Sequence, residues 1–359
     1  MIHPRVFIIS PADNAEAVES YRIMEEAGCE LVYGKKSWRT PQDSNEDEMR
    51  AMAKNADVIA GRSIRNSPIT GRIMKNAPDL RIVAKYTIGV DDVDVEAATE
   101  QGVLVTHCPA EAILGGTAEG TMGIMLTLIK KTREKDQAVK QGGWTDPSLE
   151  GRYVGRRKDG YPGLTIGIVG LGRIARRVVE LLAPWKARII AYDPYVDRKE
   201  FAAGNVEKVD LPTLLKESDL VSLHVVLTDE TRHMIGAEEM AMMKQGAILI
   251  NTSRGQVIDE TALAEALEIG KLAAAGLDAF EREPLPADSP LRKLGNKVLL
   301  SPHMINDGTG LGPGIEWTTR SVLAVLNGQV PDNVYNKEVI PRWLERFGGH
   351  KVEGFQSNR

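Results

Sequence analysis

Cysteine is nearly missing from this sequence: Cys29 and Cys108 are the only two among 359 residues. Two thiols cannot build a disulfide framework and are too few for a structural zinc site, so a reducing cytoplasm is the expected compartment. An excess of positive charge is missing as well. The formal charge is −5 and the pI is near 5.8, which argues against the basic surface that nucleic acid requires. No apolar run is expected to reach the length of a membrane span, because Gly, Thr or a charged residue interrupts each candidate. The opening stretch MIHPRVFIISPADN lacks the basic end and cleavage site of a signal peptide and reads as a strand. No repeat of solenoid period occurs.

What is present is the balance of a globular chain, 42% hydrophobic and 26% charged, long enough for two domains with a core each. Short β-branched runs alternate with helical stretches almost throughout. VFIIS, ELVYG, DVIAG, RIVAKY and VLVTH form a first series of buried strands; LTIGIV, ARIIAY, DLVSLHV, GAILIN, AAAGLDAF and KVLLS form a second. Strands separated by amphipathic helices predict parallel sheets covered by helices. The two series are joined by GGTAEGTMGIMLTLIKKTREKDQAVKQ, the longest uninterrupted helical pattern, and then by a Gly-, Pro- and charge-rich arm. A later helix, GIEWTTRSVLAVLNG, is expected to return to the first domain, followed by a charged tail without clear periodicity.

LTIGIVGLGRIARRVVELL places a strand, a glycine-rich turn and a helix in succession. Gly170 permits the tight turn, Gly172 lets backbone approach a pyrophosphate, and Ala175 allows close helix–strand packing. Arg173 and Ile174 open the helix whose N–H groups meet the phosphates. Asp193 follows 21 residues after Gly172 at the end of the next strand. A carboxylate there accepts from ribose hydroxyls and repels a 2′-phosphate, so the expected cofactor is NAD. For Arg173, contact with the pyrophosphate and a solvated helix start both remain open.

Three further strand ends carry chemistry. Thr252 and Arg254 follow one strand, Asp278 and Glu283 another, and His303 the last. In an open parallel sheet these ends share the ligand-binding edge. The pattern resembles the D-isomer-specific 2-hydroxyacid dehydrogenases, which include phosphoglycerate dehydrogenases. The resemblance spans about residues 57–335 and is most specific in GLGRIA, NTSRGQVIDETAL, LDAFEREPL and NKVLLSPH. It implies an α/β chain of two Rossmann-like or flavodoxin-like domains with parallel sheets, the cofactor domain (113–306) inserted into a substrate domain (1–112 and 307–340), with a tail at 341–359. It implies that Arg254 holds the substrate carboxylate and carbonyl, that His303 is the acid/base with Glu283 as its partner, and that Asp278 lies near the nicotinamide carboxamide. The chemistry agrees. Hydride delivered to a 2-keto carbon leaves negative charge on oxygen, histidine titrates in the range to supply the proton, and a neighbouring carboxylate favours its charged form. Arginine matches a carboxylate with two parallel donors.

On the substrate side the resemblance implies that backbone N–H groups around Ile88 and Gly89 receive the carboxylate, and that Arg62 and Ser63 contact substrate. For Arg62 and Lys85 two readings stand: receptors for a second anionic group, or solvated surface cations. His224 is expected near the cofactor or in the sheet, without chemistry. Trp317 and Met304 are either pocket-lining or core. His107-Cys108 before Pro109, Val226, and the segment after His303 depart from the family pattern and put the substrate in doubt. The resemblance and the arm at about 115–160 imply a homodimer. The competing readings are an NAD(H)-sensing regulatory protein of corepressor type on the same scaffold, and a phosphite- or formate-type dehydrogenase. The tail is too short for an appended regulatory domain. No metal, membrane or nucleic-acid partner is expected.

Overall fold

Each apolar run read as a strand is a strand, and every pairing between them is parallel. The structure is a computed structural model that describes residues 3–35, 46–62, 68–306 and 311–356. The chain divides into two compact units, Met1–Ile113 with Thr309–Arg359, and Leu114–Gly308.

The first unit is built on β1 (Arg5–Ile8), β2 (Glu30–Tyr33), β3 (Val58–Gly61), β4 (Ile82–Lys85) and β5 (Leu104–Thr106), in the order β2-β1-β3-β4-β5. Its central strands are apolar on both faces because helices cover both: Val6, Ile8, Val58 and Ile82 pack into one core, and Phe7, Ile9, Ile59 and Val83 into the other. The helix Leu311–Leu326 returns to this sheet as expected, with Ile315, Val322, Val325 and Leu326 in the first of those cores.

Two expectations are corrected here. The charged C-terminal stretch does not stand apart as a tail. It forms the helix Ile340–Phe347, which seats Trp343 and Phe347 in the core four residues apart, and the Trp343 indole donates to the Arg81 carbonyl at 3.0 Å. Charged neighbours on the opposite face hide this spacing in the sequence. The long helical pattern is also not continuous. It breaks at Lys131, which adopts a left-handed φ of +53°, between Glu111–Lys130 and Thr132–Lys140.

The second unit carries β6 (Thr165–Val169), β7 (Arg188–Tyr192), β8 (Glu207–Lys208), β9 (Leu220–Leu223), β10 (Ala247–Asn251), β11 (Leu272–Leu277) and β12 (Val298–Leu300). The order β12-β11-β10-β9-β6-β7-β8 reverses direction of travel at β6, the topological switch point of a doubly wound sheet. Among the described residues, the two-residue β8 is the one strand the sequence pattern does not reveal. Contrary to expectation, the helix Glu111–Lys130 is long and apolar enough to cross a membrane by length and composition. Its apolar residues are used otherwise: Ile124, Met125, Leu128 and Ile129 are packed in this unit's core with Ile166, Ile168 and Ile250.

Candidate active site

The glycine turn leaves β6 at the switch point. Gly170 takes φ +87°, a conformation costly for any side chain, and a Cβ there would fall 2.7 Å from the His224 carbonyl. A Cβ on Gly172 would meet nothing within 4 Å, so its backbone faces open space. Gly172 is also the N-cap of the helix Arg173–Leu182 and offers no side chain to its first N–H groups. Those donors, the positive end of the helix dipole and the open face suit a pyrophosphate. Ala175 is buried against the sheet, Ile174 is partly buried and Arg173 is exposed.

Asp193 follows β7, and two backbone amides hold its carboxylate: Leu171 N–H donates to Oδ2 at 2.8 Å and Tyr195 N–H to Oδ1 at 2.9 Å. An ionised carboxylate has about four acceptor sites, so a ribose diol can still be bound. The residues present therefore fit a dinucleotide with an unphosphorylated ribose.

The remaining groups gather at the same edge of the sheet, beyond β9 to β12. Asn251 ends β10 and shapes the turn that presents Arg254. Its Oδ1 accepts from Ser253 N–H at 3.0 Å and Ser253 Oγ at 2.7 Å, and its Nδ2 donates to the Arg254 carbonyl at 2.8 Å. Thr252 is buried, its hydroxyl 2.9 Å from that of Thr121. Gly255 lets the next loop approach, since a Cβ would lie 1.8 Å from the Phe280 carbonyl carbon.

Across that contact, Glu283 Oε1 accepts from Phe280 N–H at 2.9 Å and lies 3.1 Å from His303 Nδ1. His303 has a left-handed φ of +53°, uncommon for a residue with a Cβ. Asp278 holds that turn: its buried carboxylate accepts from Met304 N–H at 3.0 Å and Ile305 N–H at 3.3 Å. Burial raises the Asp278 carboxyl above its ordinary range, opposed by the Ser301 hydrogen bond and the nearby His303. In this structure Asp278 thus organises the histidine turn, a role the sequence reading did not give it. Asn251 and Ser301 were not singled out either. The signal for Asn251 lay in the motif NTSRG, where it precedes the arginine by three residues; that for Ser301 lay in LLSPH, two residues before the histidine.

His224 follows β9, with its Nε2 3.0 Å from Ser222 Oγ. Burial lowers it to about 4, so it is neutral near pH 7.

In the first unit, Arg62 follows β3, Lys85 ends β4, and Ile88 and Gly89 lie just beyond, partly exposed. Burial pulls the Arg62 guanidinium down to about 10, opposed by Tyr21. Lys85 is corrected: it is neither solvated nor turned to a ligand. Its side chain is fully buried, and Nζ donates to Asp92 Oδ2 at 2.5 Å. The extended lysine reaches across its own loop because no water can stabilise the charge where it sits. Trp317 and Ile88 pack on a small cluster of Cys108, Ala110 and Ile113, while Met304 is exposed. Ser63 lies outside the described residues.

Residues 122–304 match the family described as D-isomer specific 2-hydroxyacid dehydrogenase, NAD binding domain. A glyoxylate reductase of Korarchaeum cryptofilum is 39% identical over 305 residues, covering 84% of this chain and 90% of that protein. A D-3-phosphoglycerate dehydrogenase of Methanocaldococcus jannaschii is 36% identical over 92% of this chain and 59% of its own greater length. A crystal structure of D-lactate dehydrogenase from Aquifex aeolicus, complexed with NAD and lactic acid, matches with a TM-score of 0.79 at 28% identity, covering 92% of this chain and 98% of that one. The glycine turn at the switch point, the carboxylate of Asp193 after β7 and these likenesses over nearly the whole chain lead to one assignment: the chain belongs to the D-isomer-specific 2-hydroxyacid dehydrogenases, NAD-dependent oxidoreductases acting on a CH–OH group.

Proposed function

We propose that the chain interconverts a small 2-keto acid bearing a single carboxylate and its D-2-hydroxy acid, with His303 as acid/base, Glu283 as its partner and Arg254 on the substrate carboxylate. The observation that carries this reading is the contact of Glu283 Oε1 with His303 Nδ1 at 3.1 Å, on the edge of the sheet that also bears Arg254 and the glycine turn. With Nδ1 turned to the carboxylate, Nε2 is the nitrogen assigned to the substrate oxygen. NAD, when bound, supplies or accepts the hydride. Gly170, Gly172, Arg173 and Ile174 would hold its pyrophosphate, Asp193 its ribose, and Thr252 and Asp278 line the nicotinamide end. His303 delivers a proton to the carbonyl oxygen as charge develops there, and Arg254 orients the acid through its carboxylate. Arg62, Ser63 and the amides of Ile88 and Gly89 complete the substrate set.

A monoanionic acid is favoured over a dianionic one because Lys85 is sealed against Asp92. The glyoxylate reductase among the relatives supports the same choice. The working form in this reading is a cytoplasmic homodimer. Its interface uses the segment around the helix Thr132–Lys140, which buries no residue of its own, and Trp144, which is 81% exposed. Sedimentation at micromolar concentration reads this directly, and a monomer would remove that part.

The test of the reaction is NADH oxidation with glyoxylate, hydroxypyruvate, pyruvate and a phosphorylated hydroxypyruvate, in the wild type and His303→Ala. Turnover is expected with the unphosphorylated acids. The substitution should lower kcat by about 10²–10⁴-fold while NADH binding persists. Tight NADH binding without turnover of any acid, or an undiminished rate in His303→Ala, overturns the reading.

A further inference from the structure

Glu283 sits on a stretch with no regular structure between β11 and Ser289, flanked by exposed Arg282 and Pro284. Something other than a helix or strand must aim its carboxylate. The immediate constraint is the Phe280 N–H, which reaches the same oxygen, Oε1, that meets His303. The position of that amide depends in turn on three contacts that Phe280 and Glu281 make through their backbone with residues 255–260. Gly255 packs directly on it, Gln256 Nε2 donates to the Glu281 carbonyl at 3.0 Å, and Glu281 N–H donates to Glu260 Oε1 at 2.7 Å.

We propose that Glu260 is a positioning residue for the reaction: its carboxylate fixes the Phe280–Glu281 peptide and with it the backbone of Phe280, whose own N–H aims Glu283 at His303. The inference rests on the acid/base reading above. Glu260 opens the helix Glu260–Glu268, but its carboxylate is not needed to cap it. Asp259 already does so, accepting from Thr261 N–H at 2.9 Å and Ala262 N–H at 3.0 Å. A half-buried carboxylate with no capping duty and a short bond to a neighbouring loop is a clamp on that loop. The clamp is reciprocal, since Glu260 N–H points back to Glu281 Oε1 at 3.4 Å, and His233 Nε2 holds the same oxygen at 2.8 Å. Because the seam starts one residue after Arg254, it also sets the spacing between the carboxylate-binding arginine and the proton carrier.

The experiment compares Glu260→Ala and Glu260→Gln in the full-length, cofactor-bound enzyme, reading kcat, KM, NADH Kd and the pH profile of kcat/KM. Glu260→Ala should lower kcat by about ten- to a hundredfold, as small misplacements of catalytic groups do. It should also move the pH limb that reports on the acid to lower pH, because the histidine loses carboxylate support. The NADH Kd should stay within about twofold, as the glycine turn is untouched. Glu260→Gln, whose amide oxygen accepts the same bond, should recover most of both effects. A lower Tm with unchanged kcat and pH limb, or a Gln variant as impaired as Ala, overturns the proposal. If Glu260→Ala does not fold, Gln256→Ala reads the same seam: a smaller shift in the same direction supports it and an unmoved limb sinks it. His303→Ala separates the two levels. If it abolishes turnover while Glu260→Ala does nothing, only this inference fails; if it leaves turnover intact, the acid/base reading itself has failed.

Discussion

Each unit pairs a carboxylate with a basic side chain at the C-terminal edge of its parallel sheet, and the two pairs are built in opposite ways. Lys85 and Asp92 meet at 2.5 Å with side chains 0% and 7% exposed, whereas His303 and Glu283 meet at 3.1 Å with side chains 29% and 12% exposed. A sealed pair excludes water and any ligand. Its attraction goes into the geometry of residues 86–92, which Thr318 also steadies by donating to the Lys85 carbonyl at 2.9 Å. A half-open pair keeps part of the imidazole accessible, as a proton carrier requires. On the same kind of sheet edge, the depth of burial separates a structural pair from the one proposed to carry the chemistry.

The largest effect expected from disturbing this contrast is on stability. Lys85→Met leaves Asp92 buried without its cation and should cost about 3–5 kcal/mol, read by urea denaturation. Adding Asp92→Leu should restore most of it, because two apolar side chains carry no desolvation penalty. A loss under about 1 kcal/mol would mean that the pair behaves as a solvated one, and the contrast would collapse.

Glu283→Gln should act in the other direction. We expect kcat/KM to fall about 10²-fold with little change in the urea midpoint, since the amide oxygen still accepts from Phe280. A large drop in stability would make this pair structural too.

The smallest effect concerns His224, a partly buried histidine whose shift has desolvation as its cause. The unfolded chain takes up this proton near pH 6.5 and the folded protein only near 4. Stability should therefore fall as the pH drops through that window and level off below it. His224→Gln should remove about 1–3 kcal/mol of that acid-side loss, measured as the difference between variant and wild-type stability at the two ends, without cofactor. Equal slopes in the two proteins would show that His224 is not buried enough to matter.

Much of the dehydrogenase was legible before folding was considered. The strands, the glycine turn and Asp193 depend on residues within a few positions of one another, and local sterics and periodicity carry that information directly. Arg254, Asp278, Glu283 and His303 could be put on one edge because parallel strands align their C-terminal ends. Lys85 was misleading for the opposite reason. A lysine ending an apolar strand reads equally as a solvated cation, and its burial follows from the helix Leu311–Leu326, more than two hundred residues away, covering it. Trp343 and Phe347 were hidden likewise, because charged residues share their short helix and the core that receives them is assembled from the other end of the chain.

The sequence by itself therefore determined the two parallel sheets, the dinucleotide turn and the residue types at the strand ends, since each is set by short-range geometry. Only the tertiary structure decided which of those residues touch. It turned Asp278 to the amides of Met304 and Ile305, fastened Glu281 to Glu260, and paired Lys85 with Asp92 out of water. Such choices depend on which loops become neighbours and how deeply each charge is buried, and the free energy of a buried polar group is defined only once its surroundings have been assembled.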